Sequence, residues 1–293
     1  MAVTSYGLHS EYGTLASVLL YRPGSELHAY PDPARILHLR SIDYPALMAE
    51  FDAVIAAFTS RGVTVTLVDH APLDDDRWYR YNMMYCRDLC FMTPQGAVLA
   101  NMAHGVRRHE PLYVARSLET SGVPLLHTVA GSGTFEGADA LWLRDDLVLV
   151  GVGNRTNTEG YRQIGVVLAR QGVECRAVPS HQVTTQHLLG SLQIVDRDLV
   201  LVRDGIVDPE VIALLEAQQV AVVRIPENDE VRTRQAMNIV TVAPRTIFMT
   251  AGCPETKELY RRAGLIVAAE LELTQLIGGA GGLACATGTI GRK

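Results

Sequence analysis

"ALWLRDDLVLVGVG", residues 140–153, reads as an apolar strand, a charged turn and a second apolar strand. That order is the mark of a β-hairpin with a tight turn. It recurs in "LCFMTPQGAVLANM" (89–102), "LQIVDRDLVLVRDG" (192–205) and "IVTVAPRTIFMTAG" (239–252), and "LASVLLYRPG" (15–24) begins in the same way. The second strands centre on Leu99, Leu149, Leu201 and Phe248, so the spacings are 50, 52 and 47 residues. Helix-like stretches such as "PEVIALLEAQQ" and "PETKELYRRAGL" follow the hairpins. A further short strand, such as "GVTVTLV" or "VAVVRI", then completes the unit. A period of roughly 50 residues signals repeat architecture. About five units of hairpin, helix and strand fill the 293 residues. Arranged around an axis, they predict one closed, propeller-like α/β domain over residues 1–293 with a central channel. No linker or low-complexity segment divides it.

Composition narrows the function. At 48% hydrophobic and 20% charged, the chain carries ample material for a large core. A net charge of −6 removes the basic footprint that a nucleic-acid surface needs. No apolar run is long enough for a membrane span. "MAVTSYGLHSEYG" lacks the charged and apolar regions of a secretory signal. Cys86, Cys90, Cys175, Cys253 and Cys285 are odd in number and widely spaced, which argues against a disulfide framework and for a reducing cytoplasm. "CRDLC" has no second ligand pair to complete a zinc site, so no metal is expected. Whether the chain forms a homo-oligomer is left open.

Polar residues interrupt the strand pattern at equivalent edges of different repeats. Arg87 and Asp88 precede one strand, Glu136 and Asp139 flank Gly137 before another, and His187 opens a third. Cys285 sits in "LIGGAGGLACATGTIG" (276–291), where glycines signal either a loose tail or close backbone approach to a ligand. Singly, each residue has an ordinary explanation: a turn carboxylate, a hydrogen-bonded histidine, a small buried thiol. A closed ring would bring them to one end of the channel. Together they supply what thiol chemistry on a cation requires: a nucleophile, a proton carrier and carboxylates.

From "HSEYGTLASVLLYRPGSEL" to "GGLACATG", the ordered motifs resemble the guanidine-modifying pentein superfamily of arginine deiminases, dimethylarginine dimethylaminohydrolases and amidinotransferases. The resemblance implies a five-bladed ββαβ propeller. It also implies that Cys285 is the nucleophile, His187 the general acid/base and Asp88 the carboxylate gripping the guanidinium. Glu136 in "FEGAD" matches the glutamate beside the histidine, with Ala138 replacing a family glycine. Asn82, Arg107 and Arg155 match positions that hold a substrate α-carboxylate in arginine deiminases, and Asn238 matches a recurrent site asparagine. The implied reaction is attack by the thiol on a small-molecule guanidine, through an amidino-thioether, to a ureido product, without cofactor.

One departure bears on substrate. Deiminases and amidinotransferases carry a second guanidinium-binding aspartate two residues after the histidine; this chain has Leu189. Asp139, or a carboxylate from "DHAPLDDD", is the expected substitute if one exists. Dimethylarginine hydrolases also lack that aspartate, so a hydrolase of an Nω-substituted arginine is favoured, with plain arginine next. An amidinotransferase is the alternative, and retention of the four chemical residues argues against a non-catalytic pentein.

Overall fold

The computed structural model describes residues 6–28, 32–69, 71, 80–180 and 185–293. The first unit supplies strand β1 (Leu15–Leu20), helix α1 (Tyr44–Thr59) and strand β2 (Thr64–Leu67). The second runs β3 (Cys90–Thr93), β4 (Gly96–Leu99), α2 (Glu110–Thr120) and β5 (Leu125–Thr128). The third is β6 (Ala140–Arg144), β7 (Leu147–Gly153), α3 (Thr158–Ala169) and β8 (Glu174–Ser180). The fourth is β9 (Leu192–Asp196), β10 (Leu199–Arg203), α4 (Pro209–Ala217) and β11 (Ala221–Ile225), followed by short α5 (Asp229–Thr233). The fifth is β12 (Val240–Ala243), β13 (Thr246–Thr250), α6 (Pro254–Arg262) and β14 (Ile266–Leu271). Two short helices, α7 (Thr274–Gly278) and α8 (Leu283–Ala286), lead to the last strand, β15 (Gly288–Arg292).

Units two to five each form a three-stranded sheet: an antiparallel hairpin, then a third strand returning parallel to its second. The helix between them makes that parallel return possible, because a crossover cannot be a tight turn. Helices α1 and α4 start with a proline in the first turn and a side-chain cap, Asp43 accepting from the Ala46 N–H and Asp208 from that of Glu210; α2 and α6 have the proline alone and α3 the cap alone, from Asn157. The first unit lacks a hairpin. Its sheet has the order β15-β1-β2, with Val18 opposite Thr289 and Leu19 opposite Gly288. The C-terminal strand therefore completes the N-terminal sheet and closes the ring.

Strands meet across unit boundaries on the axial side of the ring, β6 against β9 and β15 against β3, and the first hairpin strands are almost wholly buried. Aromatic contacts join neighbouring units: Trp142 of β6 stacks on Phe91 of β3 at 5.8 Å between ring centroids. The Trp142 indole N–H also donates to the Met92 carbonyl at 3.0 Å. Phe58 of α1 meets Phe248 of β13 at 5.5 Å, fastening the first unit to the fifth. The five cysteines are free thiols.

Because β15 is the missing partner of β1, deleting residues 288–293 should open the ring. The expected outcome is loss of the cooperative urea transition shown by the full chain, checked by far- and near-ultraviolet circular dichroism.

Candidate active site

Three short 3-10 turns precede the axial strands of units two, three and four: Cys86–Asp88, Gly137–Asp139 and Leu188–Gly190. The residue before each turn is Tyr85, Glu136 or His187, at intervals of 51 residues, so the repeat delivers three side chains to equivalent points. In unit five Asn238 stands two residues before β12, as Asp88 stands two before β3. Cys285 arrives from the other side, on α8. Gly137 is needed where it stands: a Cβ there would lie 2.1 Å from the Cys90 carbonyl oxygen.

These residues meet around a cavity of about 360 Å³, lined by Asn82, Tyr85, Asp88, Arg107, His187, Leu189, Asn238 and Cys285 among others. His187 Nε2 lies 2.6 Å from Glu136 Oε2, and both side chains are buried. Burial opposes charge on each partner, but their mutual attraction outweighs it; Asp88 adds to the pull on His187 and Arg107 to that on Glu136. The pair is imidazolium and carboxylate, with the histidine protonation constant raised and that of Glu136 lowered. Asp88 Oδ2 accepts from Arg107 Nη1 at 2.6 Å. Its buried Oδ1 has no hydrogen-bond donor and lies 3.7 Å from His187 Nδ1. That oxygen is an unsatisfied buried acceptor on a residue that lines the cavity.

Asn238 seats the Cys285 thiol. Its Oδ1 accepts from the backbone N–H groups of Ala284 and Cys285 at 2.7 and 3.2 Å, and its Nδ2 donates to the Cys285 sulfur at 3.0 Å. Burial pushes the thiol up to about 11, with Asp88 adding to it. The glycine run is no loose tail. A Cβ on Gly279 or Gly281 would come within 2.3 Å of the Tyr85 side chain, and one on Gly282 within 2.7 Å of Asn238. The chain wraps the Tyr85 ring, whose hydroxyl donates to the Leu276 carbonyl at 2.8 Å.

Several expected binding residues take other places. Arg107 lines the cavity, but its guanidinium is 2.8 Å from Glu110, 2.6 Å from Asp88 and 3.2 Å from the Asn82 carbonyl. Asn82 donates to the Ile36 carbonyl at 2.8 Å and accepts the same Arg107 on its backbone. Arg155 is not in the cavity wall; it donates to Gln186 at 2.6 Å and stands 3.8 Å from Glu136. Asp139 is no substitute clamp, because Thr156 Oγ1 occupies one oxygen at 2.7 Å and the Leu188 N–H the other at 2.9 Å. Burial pushes its carboxyl up to about 6. Asp74, Asp75 and Asp76 of the acidic loop lie outside the described residues. Among the described residues Asp88 is the one acid lining the cavity, and Leu189 does line it.

Sequence reading passed over Tyr85 and Glu110. The 51-residue interval to Glu136 points to Tyr85, and the Arg107-to-Glu110 helical spacing points to Glu110. Burial pushes the Glu110 carboxyl up to about 7. Asp88, Glu136 and His187 present donor atoms within 4.8 Å of one another, the arrangement of a cation site. The Arg107 guanidinium, 2.6 Å from Asp88 and 4.0 Å from Glu136, already supplies a cation there.

Comparison with known proteins places this arrangement. Residues 80–220 match the arginine deiminase family model. The dimethylarginine dimethylaminohydrolase of Pseudomonas aeruginosa is 25% identical over 85% of this chain and 90% of its own. A Pseudomonas aeruginosa dimethylarginine dimethylaminohydrolase structure, a cysteine-to-serine mutant with citrulline, superposes with a TM-score of 0.74 at 22% identity, covering 94% of this chain and 98% of that one. Over residues 80–220 the chain is therefore similar to arginine deiminases, and its fold is that of dimethylarginine dimethylaminohydrolase. The inosamine-phosphate amidinotransferase of Streptomyces griseus shares this pentein fold, with a TM-score of 0.75 at 18% identity over 98% of this chain and 97% of that one. No helix in the described residues is long and apolar enough to cross a membrane.

The Asp88 charge raises the thiol, so removing it should lower the alkaline midpoint of Cys285. In Asp88→Asn, iodoacetamide alkylation of Cys285 at pH 8 should run several-fold faster than in wild type. Its pH profile should also shift toward neutral, followed by intact-mass spectrometry.

Proposed function

We propose that this pentein is a cysteine-dependent hydrolase acting on the guanidino group of an arginine-like substrate with a substituted Nω, and yielding a ureido product plus an amine. The observation carrying this reading is that Asp88, with its unsatisfied Oδ1, lines the same cavity as Cys285 and the His187 that is paired with Glu136. A guanidinium donating to that oxygen is held by charge and by a hydrogen bond. Its positive charge offsets the effect of Asp88 on Cys285, so the thiol loses its proton to solvent more readily with substrate bound.

The thiolate attacks the central guanidine carbon, forming a C–S bond and a neutral tetrahedral adduct. Protonated His187 gives its proton to the substituted nitrogen, the C–N bond breaks, and the amine departs. The cationic amidino-thioether stays on Cys285. Neutral His187 then takes a proton from water as its oxygen adds to the carbon. Collapse breaks the C–S bond, the hydroxyl proton returns to the sulfur, and the ureido product leaves. Glu136 stabilises the imidazolium at both ends of this cycle.

Leu189 supports the substituted form. An apolar wall suits an alkylated nitrogen and leaves an unsubstituted N–H without an acceptor. The likeness to dimethylarginine dimethylaminohydrolases points the same way. The amidinotransferase fold neighbours sustain a second reading, in which an amine acceptor replaces water.

Cys285→Ser should lose at least about 1,000-fold in kcat and form no covalent adduct by intact-mass spectrometry; undiminished turnover would end the nucleophile assignment. Ureido and amidine products, measured with and without glycine or ornithine, separate hydrolase from transferase. Leu189→Asp should shift the kcat/KM ratio of arginine to Nω-methylarginine by about tenfold or more toward arginine. An unchanged ratio removes Leu189 from substrate choice.

A further inference from the structure

Behind the catalytic cavity, on the axis of the ring, lies a second, smaller space of about 30 Å³. Leu189 borders both spaces, and Ala284 and Thr287, on either side of Cys285, line the axial one. Among the described residues its charged lining is Glu11, Arg87 and Arg292: two cations and one acid. Both arginines are more than nine-tenths buried, at 5% and 7% exposure.

Neither guanidinium is satisfied. Arg87 donates to Glu11 at 2.8 Å and to the Ala140 carbonyl at 3.2 Å, both from Nη2. Arg292 donates to the Gly13 and Thr241 carbonyls at 2.6 and 2.7 Å, both from Nη1. The Nε of each has no hydrogen-bond partner. A guanidinium carries five N–H donors, so each group leaves most of its donors unused. Glu11 is already shared between Arg87 and the Trp142 backbone N–H. Burial, with the nearby Arg87 charge, lowers Arg292 to about 10 against the opposing pull of Glu11, which leaves it charged at neutral pH. A buried charge without a counter-charge costs several kcal/mol, a cost that a water molecule relieves only through its dipole.

We propose that the axial space between Arg87 and Arg292 is a binding site for one small monovalent inorganic anion of halide size. The space has room for a water molecule or a halide ion. A halide closes the charge balance of two guanidinium groups and one carboxylate, and it accepts from several N–H donors at once. Thr241 and Thr289 bring hydroxyl groups to the same walls. Gly13, whose carbonyl Arg292 holds, also borders an open depression at the far end of the ring. Arg144, Arg197 and Lys293 outnumber Asp145 and Asp198 there, a cationic approach for an anion.

The test uses the full chain. Crystals grown without halide and soaked in sodium bromide should show anomalous density between Arg87 and Arg292. In solution, raising sodium chloride from about 10 to 300 mM should lift the thermal midpoint by roughly 2–4 °C beyond sodium gluconate at equal ionic strength. Arg292→Met, which keeps length and removes the charge, should lose both signals while retaining a cooperative transition. If that variant does not fold, the wild-type comparison of bromide density and chloride-specific stabilisation stands alone. Density without the solution effect would mark binding at crystal concentration only and overturn the proposal. A solution effect without density would place the anion elsewhere, and absence of both would assign the space to water; either result overturns it.

Discussion

Charge neutralisation around the buried Arg107 guanidinium is the condition that the catalytic end of the ring must satisfy. Asp88, Glu110 and Glu136 surround it, on three segments from two units, and only together do they make its burial tolerable. Glu136 can then remain ionised and hold a protonated His187, while Asp88 keeps one oxygen engaged and one open. Withdrawing the Arg107 charge would leave three carboxylates confronting one imidazolium, and their protonation would remove the polarity that the chemistry needs. Glu110 touches no cavity surface, yet it fixes the Nε side of that guanidinium and the backbone N–H of Asn82. A helix-start carboxylate thus helps hold the arginine that balances Asp88 and Glu136.

Much of the fold was legible because hairpin strands buried on both faces read as continuous apolar runs, and their period counts the units. Closure by β15 was not. "GTIGR" has little apolar patterning, and its partner β1 lies at the opposite end of the chain, so no local rule links them. The grouping of Asp88, Glu136, His187 and Cys285 followed from motifs set one per repeat. The binding residues around them were less legible, because side-chain pairing decides which arginine faces the cavity. Arg107 and Arg155 have suitable positions, but nearby carboxylates draw the first inward and Gln186 and Glu136 engage the second. Asp139 shows the same limit: it is the repeat equivalent of Asp88, and the neighbouring Thr156 hydroxyl turns it into a structural anchor.

The glycines before Cys285 had two readings, and the Tyr85 ring separates them. Three of them lie where any side chain would collide with Tyr85 or Asn238. Their role is steric room, with the chain laid over a rigid aromatic surface. Cys285 therefore rests on a firm seat: Asn238 grips the backbone at Ala284 and Cys285, and the tyrosine shapes the approach.

Cys285 also stands three residues before the strand that shuts the ring. Pairing of β15 with β1 joins residues far apart in sequence, such as Val18 and Thr289, and such contacts are slow to form. The seat on Asn238 and Tyr85 belongs to units that precede the thiol, so delivery of Cys285 to the cavity is tied to the same long-range closure that shuts the ring.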